Sequence, residues 1–305
     1  MRIFITGGTG FVGSYLTQKL ISLGHEVMVL TRSAKRGPAL LPGGVLLEGN
    51  PSEAGPWQEN LARHEVIINL AGRSIFGLWT KEVQREIMDS RLLTTRNVVD
   101  ALQFTGEGKL LISTSAVGYY GNRTDDTLLD ESSPQGDGFL AEVGQAWEQE
   151  AKRGEQFGAR VVNCRFGIVL GRNGGALKTM VPAFRYYLAS PLGSGRQWFP
   201  WIHLEDIFGI TTFVIEHKNI AGPINCTAPY PVRNGEFTEA LARALGKSVI
   251  MPSVPGFLVR TLLGEFGGVL LGGQRAIPKR LLDSGYPFRF PALEETLRDL
   301  IGNKM

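Results

Sequence analysis

Thr6-Gly7-Gly8-Thr9-Gly10-Phe11-Val12-Gly13 decides how this chain folds. Three of its glycines recur at every third position. A short β-rich run (2–6) precedes them, and a segment follows in which Val12, Leu16, Leu20 and Leu23 share one helical face. A glycine trio alone says little; a strand before it and a helix after it give each glycine a task. Gly7 permits a tight turn, Gly10 lets the backbone approach a pyrophosphate, and Gly13 lets helix and strand pack closely. The helix that starts here offers unpaired N–H groups and the positive end of its dipole to phosphates. Thr6, Gly7, Gly10, Phe11, Val12 and Gly13 are therefore expected to hold a dinucleotide.

Outward from this loop, strands predicted over 26–31, 43–48, 65–71, 109–115 and 160–170 alternate with helices predicted over 11–23, 80–104 and 138–157. The run Glu65-Val66-Ile67-Ile68-Asn69-Leu70-Ala71 is almost continuously apolar, as a strand covered on both faces requires. The pattern is that of an α/β protein, a Rossmann-type doubly wound parallel sheet with right-handed crossovers. After Gly171 glycine, proline and aromatic residues become frequent. A helix over 205–217 and a strand over 223–227 are expected to return to the main sheet. Segments 234–245, 248–252 and 256–263 look helix-rich, and 292–301 is an amphipathic helix. The expected organisation is a Rossmann domain over 1–170, with 204–228 returning to it, and a smaller, interleaved C-terminal substrate lobe made of 171–203 and 229–305.

The end of the second strand bears on the cofactor. An NAD binder usually places a carboxylate there for the ribose 2′-hydroxyl. This chain has Leu30-Thr31-Arg32-Ser33, followed by Lys35 and Arg36. Arg32 can grip a 2′-phosphate in a bidentate fork and stack on adenine, while Thr31 and Ser33 donate hydrogen bonds. NADP is the expected cofactor, with Arg32 and Ser33 choosing it.

Composition narrows the function classes. A net charge of +3 over 305 residues, with Lys and Arg spread along the chain, does not suggest a nucleic-acid binder. Cys164 and Cys226 lie in strand-like apolar runs and read as buried thiols, and no metal site is expected. The most apolar stretch, 254–273, is interrupted by Arg260 and Glu265, so no membrane span of ~20 residues is expected. The chain begins directly with a strand and not a secretory signal, which suggests a cytoplasmic protein. Its expected partners are a small-molecule substrate and either a second copy of the chain or another protein.

Asn69-Leu70-Ala71-Gly72 after one strand and Ser113-Thr114-Ser115 at the end of the next, together with the glycine trio, resemble the extended short-chain dehydrogenase/reductase superfamily. Ser90-Arg91, Gly118-Tyr119-Tyr120-Gly121, Trp147-Glu148, Gly193-Ser194-Gly195-Arg196-Gln197, Trp201-Ile202-His203, Pro231-Val232-Arg233-Asn234 and Gly273-Gln274-Arg275 are similar to its NAD(P)-dependent epimerase-like subfamily over nearly the whole chain. The resemblance implies that Asn69, Ala71, Gly72 and Ser113 join the cofactor site. Arg91 and Arg165 are read as anion holders, or as partners of buried carboxylates.

The same resemblance implies redox chemistry by Tyr-x-x-x-Lys with a strand serine. Ser115 stands at the serine position. Phe139 and Val143 stand where the tyrosine and lysine would, and Arg91 stands where a helix asparagine would. Phe139 cannot exchange a proton. Tyr119 and Tyr120, on the loop after Ser115, are the candidate replacements, working with Ser115; a phenol needs a nearby cation to act as a base near neutral pH. Glu142 reads as an exposed helix charge, His203 as a helix-start histidine paired with a carboxylate, and Trp147-Glu148 as helix packing plus a structural ion pair. For the substrate, Trp198, Phe199, Pro200 and Trp201 form an expected apolar wall, with Arg196 and Gln197 as donors beside it. Two functions compete. One is an NADP(H)-binding epimerase- or reductase-like enzyme for a small polar, sugar-derived molecule. The other is a non-catalytic NADP(H)-binding module that regulates a partner.

Overall fold

The structure, a computed structural model, describes residues 1–33, 43–103, 105–172 and 174–302. Lys35 and Arg36 of the basic run lie outside the described residues. The glycine loop joins β1 (Arg2–Thr6) to α1 (Phe11–Ser22). β2 (Glu26–Thr31), β3 (Val45–Glu48) and β4 (Val66–Asn69) follow. Thr80 then caps α2 (Lys81–Ala101), its side chain accepting from the Val83 N–H at 3.2 Å. β5 (Leu110–Ala116), the short β6 (Leu128–Leu129) and α3 (Phe139–Lys152) lead to β7 (Arg160–Phe166) and β8 (Ile168–Gly171).

The strand predicted over 160–170 is two strands. A Cβ on Gly167 would stand 2.6 Å from the Pro200 carbonyl oxygen, so only glycine fits where the chain turns away from the main sheet. Beyond it, the Ile168 N–H bonds the Pro200 carbonyl at 2.6 Å, and β8 pairs with β10 instead. The second half contains α4 (Gly175–Arg185), β9 (Trp198–Phe199), β10 (Trp201–His203), α5 (Leu204–Glu216) and β11 (Gly222–Cys226). It closes with β12 (Val232–Arg233), α6 (Asn234–Ala244), α7 (Gly256–Leu271), β13 (Arg275–Ala276), α8 (Lys279–Asp283) and α9 (Leu293–Ile301). Segment 248–252, expected to contribute to a helix-rich lobe, carries neither helix nor strand. The helix expected to end at 263 runs on to Leu271, kinked at Gly264, where φ is 57°.

Seven strands form the main sheet in the order β11-β7-β5-β4-β1-β2-β3. Every pairing in it is parallel. Order reverses beside β1, so the connections leaving the neighbouring carboxyl ends of β1 and β4 run to helices on opposite faces, the place where open α/β sheets take ligands. Two apolar cores cover the two faces: Ile3, Ile5, Leu16, Leu20, Ile68 and Ile224 on one, Phe4, Leu30, Trp57, Val98 and Leu111 on the other. The alternation of Ile3, Phe4 and Ile5 between cores is the period-two geometry of a strand buried on both sides. A further core, around Leu177, Phe184, Trp201, Phe237, Leu241 and Leu297, holds α4, α6 and α9 together beyond the carboxyl ends of the strands.

His203 couples the two regions. It caps α5 by accepting the Glu205 N–H on Nδ1 at 2.9 Å. Its Nε2 lies 3.4 Å from the Asp299 carboxylate of α9, and its ring stacks on Phe290. Nδ1 can serve as the cap only while it carries no proton. Burial lowers the histidine from 6.5 to about 4; Asp299 opposes this shift, and Arg289 and Arg172 reinforce it. Because the folded value lies below the unfolded one, unfolding takes up a proton, and stability is lost as pH falls from about 6.5 toward about 4. Urea unfolding at pH 7 and pH 5 should show a smaller loss in His203→Asn, which keeps a capping acceptor without the titration, than in the unaltered protein. Equal losses in the two proteins would rule out His203 as a source of the pH dependence.

Candidate functional site

The glycine loop has the shape its spacing predicts. Gly7 adopts φ +70°, and a Cβ there would stand 2.8 Å from the Ala71 nitrogen, so the loop of β1 lies directly on the loop after β4. A Cβ on Gly13 would stand 2.2 Å from the Gly7 carbonyl oxygen, which is how closely α1 packs onto the turn. A Cβ on Gly10 would meet only that same oxygen, at 3.2 Å. Gly10 is the N-cap of α1 and supplies no capping side chain, and the first turn of the helix carries no acidic residue. Its first N–H groups and positive dipole end are therefore available to an anion. These features fit a dinucleotide pyrophosphate. The Phe11 ring lies against Gly171, Gly174 and Gly175, where an added Cβ would stand 2.7, 2.1 and 2.6 Å from it.

Thr31, Arg32 and Ser33 end β2 with no carboxylate among them; Thr31 is buried, and Arg32 and Ser33 are exposed. The Thr31 hydroxyl accepts the Ser33 N–H at 3.3 Å, which turns the chain at this point. Asn69 is fully buried. It accepts from the Thr6 hydroxyl at 2.6 Å and donates to Thr95 at 2.9 Å, and Thr95 also receives the Trp147 indole N–H at 2.9 Å. Thr6 in turn accepts the Ala71 N–H at 3.3 Å. This chain of hydrogen bonds fixes the Ala71-Gly72 loop over the sheet. Arg91 lies beside that loop, and a Cβ on Gly72 would be 3.4 Å from its Cζ. Arg91 rests over the Trp147 ring and donates to the Ile87 carbonyl, and burial lowers it to about 10. Among the described residues no carboxylate pairs with it.

At the end of β5 the structure brings together two charges, Glu148 and Arg165, and two hydroxyls, Ser115 and Tyr120. Ser115 donates to Glu148 at 2.7 Å. Arg165 of β7 grips both oxygens of Glu148, at 2.7 and 2.8 Å, and donates to the Tyr120 hydroxyl at 2.9 Å. Ser115 and Tyr120 are buried, 1% and 0% exposed. The Tyr120 hydroxyl lies 2.8 Å from both the Asp130 carbonyl and Asn225 Oδ1, two acceptors for its one proton. Burial pushes Tyr120 up to about 12 against the pull of Arg165. Burial would lower Arg165, but the bonds and charge of Glu148 hold it above its ordinary value. Tyr119 is half-buried, with the Arg165 guanidinium 3.6 Å above its ring. Ser113, one layer deeper in β5, is fully buried, and its hydroxyl takes no partner among the described residues. The Trp147-Glu148 pair thus packs and pairs as its sequence suggested, with Arg165 as the partner. Glu148 as the holder of Ser115 was not apparent from the sequence.

The aromatic run 198–201 does not form one wall. Trp201 is 1% exposed, inside the core shared by α4, α6 and α9. Trp198 lies between the guanidinium groups of Arg233 and Arg275, at 4.3 and 4.7 Å, and donates to Asp126 at 3.0 Å. Gln197 spends its amide on the Leu192 and Leu270 carbonyls, and the exposed Arg196 accepts from Arg233 through its own carbonyl. The cleft beside α3 is lined by other residues, among them Trp79, Gly118, Phe139, Leu140, Glu265 and Gln274. Alternation alone cannot place Trp79 or α7 there, because a long loop and the last quarter of the chain deliver them.

Arg165→Met should destabilise the fold by about 3–5 kcal/mol, because it leaves the Glu148 carboxylate buried without a cation. Glu148→Gln on that background should recover part of the loss, measured by urea unfolding. A cost under about 1 kcal/mol for the single variant would mean the pair is not part of the buried framework.

Comparison with known proteins agrees with this geometry. Residues 3–226 match the profile described as the NAD dependent epimerase/dehydratase family, and residues 254–300 match one described as a domain of unknown function (DUF1731). The chain is 39% identical to the epimerase family protein YfhF of Bacillus subtilis over 307 residues, covering 100% of this chain and 99% of that protein. It is 38% identical to mouse epimerase family protein SDR39U1, covering 99% and 100%. The crystal structure of human SDR39U1 (isoform 2) with NADPH superposes with a TM-score of 0.85 at 34% identity, covering 99% of this chain and 100% of that one. The chain is a member of the NAD dependent epimerase/dehydratase family, with the Rossmann-type fold of its extended short-chain dehydrogenase/reductase relatives.

Proposed function

We propose that this protein binds NADP(H) across the carboxyl ends of β1, β2 and β4 and acts as an oxidoreductase on a small molecule held beside α3. One observation carries the cofactor assignment: the uncapped, acid-free N-terminus of α1 stands next to a β2 end that offers Arg32 and Ser33 and no carboxylate. The backbone at Gly10 leaves room for the pyrophosphate. Arg32 pairs with the 2′-phosphate, and Arg91, with which no carboxylate pairs among the described residues, offers positive charge beside Gly72. The human relative was crystallised with NADPH. When bound, the nicotinamide supplies or accepts a hydride.

The chain's own residues limit how a proton could move. Ser115 donates to Glu148, and Tyr120 is sealed into the core, so the protons of both are committed. Of the two replacement candidates, Tyr119 is the one with partial access to solvent. This commitment also favours a second reading, a non-catalytic module whose cofactor occupancy regulates a partner. Slow or absent turnover on every hydride acceptor, with NADPH binding intact, would support that second reading.

Titration should show tighter binding of NADPH than of NADH, and Arg32→Ala should narrow the difference by about 1.5–3 kcal/mol, the scale of a hydrogen bond to a charged group. Gly10→Val should fold and lose NADPH, since its side chain would meet little protein and fill the pyrophosphate's place. Gly13→Val should fail to fold, because its Cβ would strike the turn. Equal affinities for the two cofactors in the unaltered protein would overturn the NADP assignment.

A further inference from the structure

Two aromatic side chains, Trp79 and Phe139, line the cleft beside α3, with Phe266 and Phe76 packed behind Trp79, and among the described residues no acid of the Tyr or Lys kind lines it. Trp79 and Phe139 meet edge to face at 5.3 Å, and Trp79 lies 5.6 Å from Phe266 of α7. Phe76 extends the same cluster, 5.7 Å from Phe266. The polar lining is already spent or of the wrong kind. Gln274 donates its amide to the Gly121 carbonyl at 2.7 Å. Asp137 and Glu265 are exposed carboxylates, Glu265 already accepts from Gln84, and Asn122 donates its amide to the Gly268 carbonyl at 3.2 Å. Among the described residues no tyrosine, lysine, histidine or cysteine lines the cleft, and Ser115, Tyr119 and Tyr120 lie outside it.

Such a lining restricts which molecule can accept a hydride there. An isolated aldehyde or ketone becomes an alkoxide as hydride arrives, and that strong base needs an acid in contact with its oxygen. A conjugated dicarbonyl needs none, because its reduced form spreads the charge over a ring and a second oxygen. A flat ring also gains from stacking on aromatic faces. We propose that this cleft takes a quinone as its hydride acceptor. The inference rests on the NADP(H) assignment above. The hydride passes from the reduced nicotinamide to the quinone, which becomes the hydroquinone monoanion; water supplies one proton, and the balance is NADPH + quinone + H⁺ → NADP⁺ + hydroquinone. Trp79 and Phe139 are the residues that hold the ring.

Two measurements on the full chain test this. In the first, menadione is titrated into the protein loaded with NADP⁺, and quenching of tryptophan fluorescence is followed. Saturable quenching is expected; Trp79→Phe should remove most of it, and Trp79→Ala should weaken menadione binding about tenfold while NADPH binding, read from nicotinamide fluorescence, stays intact. In the second, NADPH oxidation is compared for menadione and cyclohexanone, and the quinone should be at least about tenfold faster. NADPH binding without menadione quenching or oxidation would overturn the quinone proposal and leave the cofactor assignment standing. Equal rates with cyclohexanone would overturn it as well. Failure to bind NADPH would overturn both.

Discussion

The close approach of α1 to the turn that precedes it is the constraint on which the rest of the site depends. A Cβ on Gly13 would fall 2.2 Å from the Gly7 carbonyl oxygen, and one on Gly7 would fall 2.8 Å from the Ala71 nitrogen. Glycine at these positions lets three segments stack without side chains between them: the turn after β1, the first turn of α1 and the loop after β4. The result is a flat, backbone-lined shelf at the point where the sheet reverses its strand order. The hydrogen bonds from Thr6 through Asn69 and Thr95 to Trp147 tie that shelf to α2 and α3. The position of α3, and with it the wall of the cleft, is therefore set by the same framework as the phosphate loop.

The second organising feature is the ion pair of Glu148 and Arg165. A buried pair of this kind adds little net stability compared with well-packed apolar residues, but removing one partner is costly. It also absorbs the Ser115 proton donor and, through Arg165, orients both tyrosines. The network thus has the rigidity of a structural core at a place where a mobile proton would serve chemistry. An acceptor that stabilises its own charge is compatible with that arrangement.

Much of the fold was legible in the sequence because its signals are local. Gly7, Gly10 and Gly13 mark a turn whatever surrounds them, and the apolar run from Val66 to Ile68 can only be a buried strand. Boundaries were less legible. The break at Gly167 depends on Pro200, which lies far away in the sequence, and α7 continues past Gly264 to Phe266, which packs on Trp79 from a distant segment. The site was legible in half. The cofactor shelf follows from short-range spacing, and the residues at the end of β2 follow from their charge. The aromatic run 198–201 misled because period-two alternation in short strands sends neighbours to opposite sides: Trp201 enters the core while Trp198 lies between two arginines. Trp79 and α7 reach the cleft by tertiary packing, which no spacing rule encodes.

A crystal structure of this chain with NADPH decides whether the α1 N-terminus and the end of β2 hold the cofactor. The pyrophosphate should lie over Gly10 at the start of α1, the 2′-phosphate should touch Arg32, and the nicotinamide ring should face the cleft between Gly118 and Phe139. A dinucleotide bound away from the α1 N-terminus, or one whose 2′-phosphate makes no contact with Arg32, would contradict this placement.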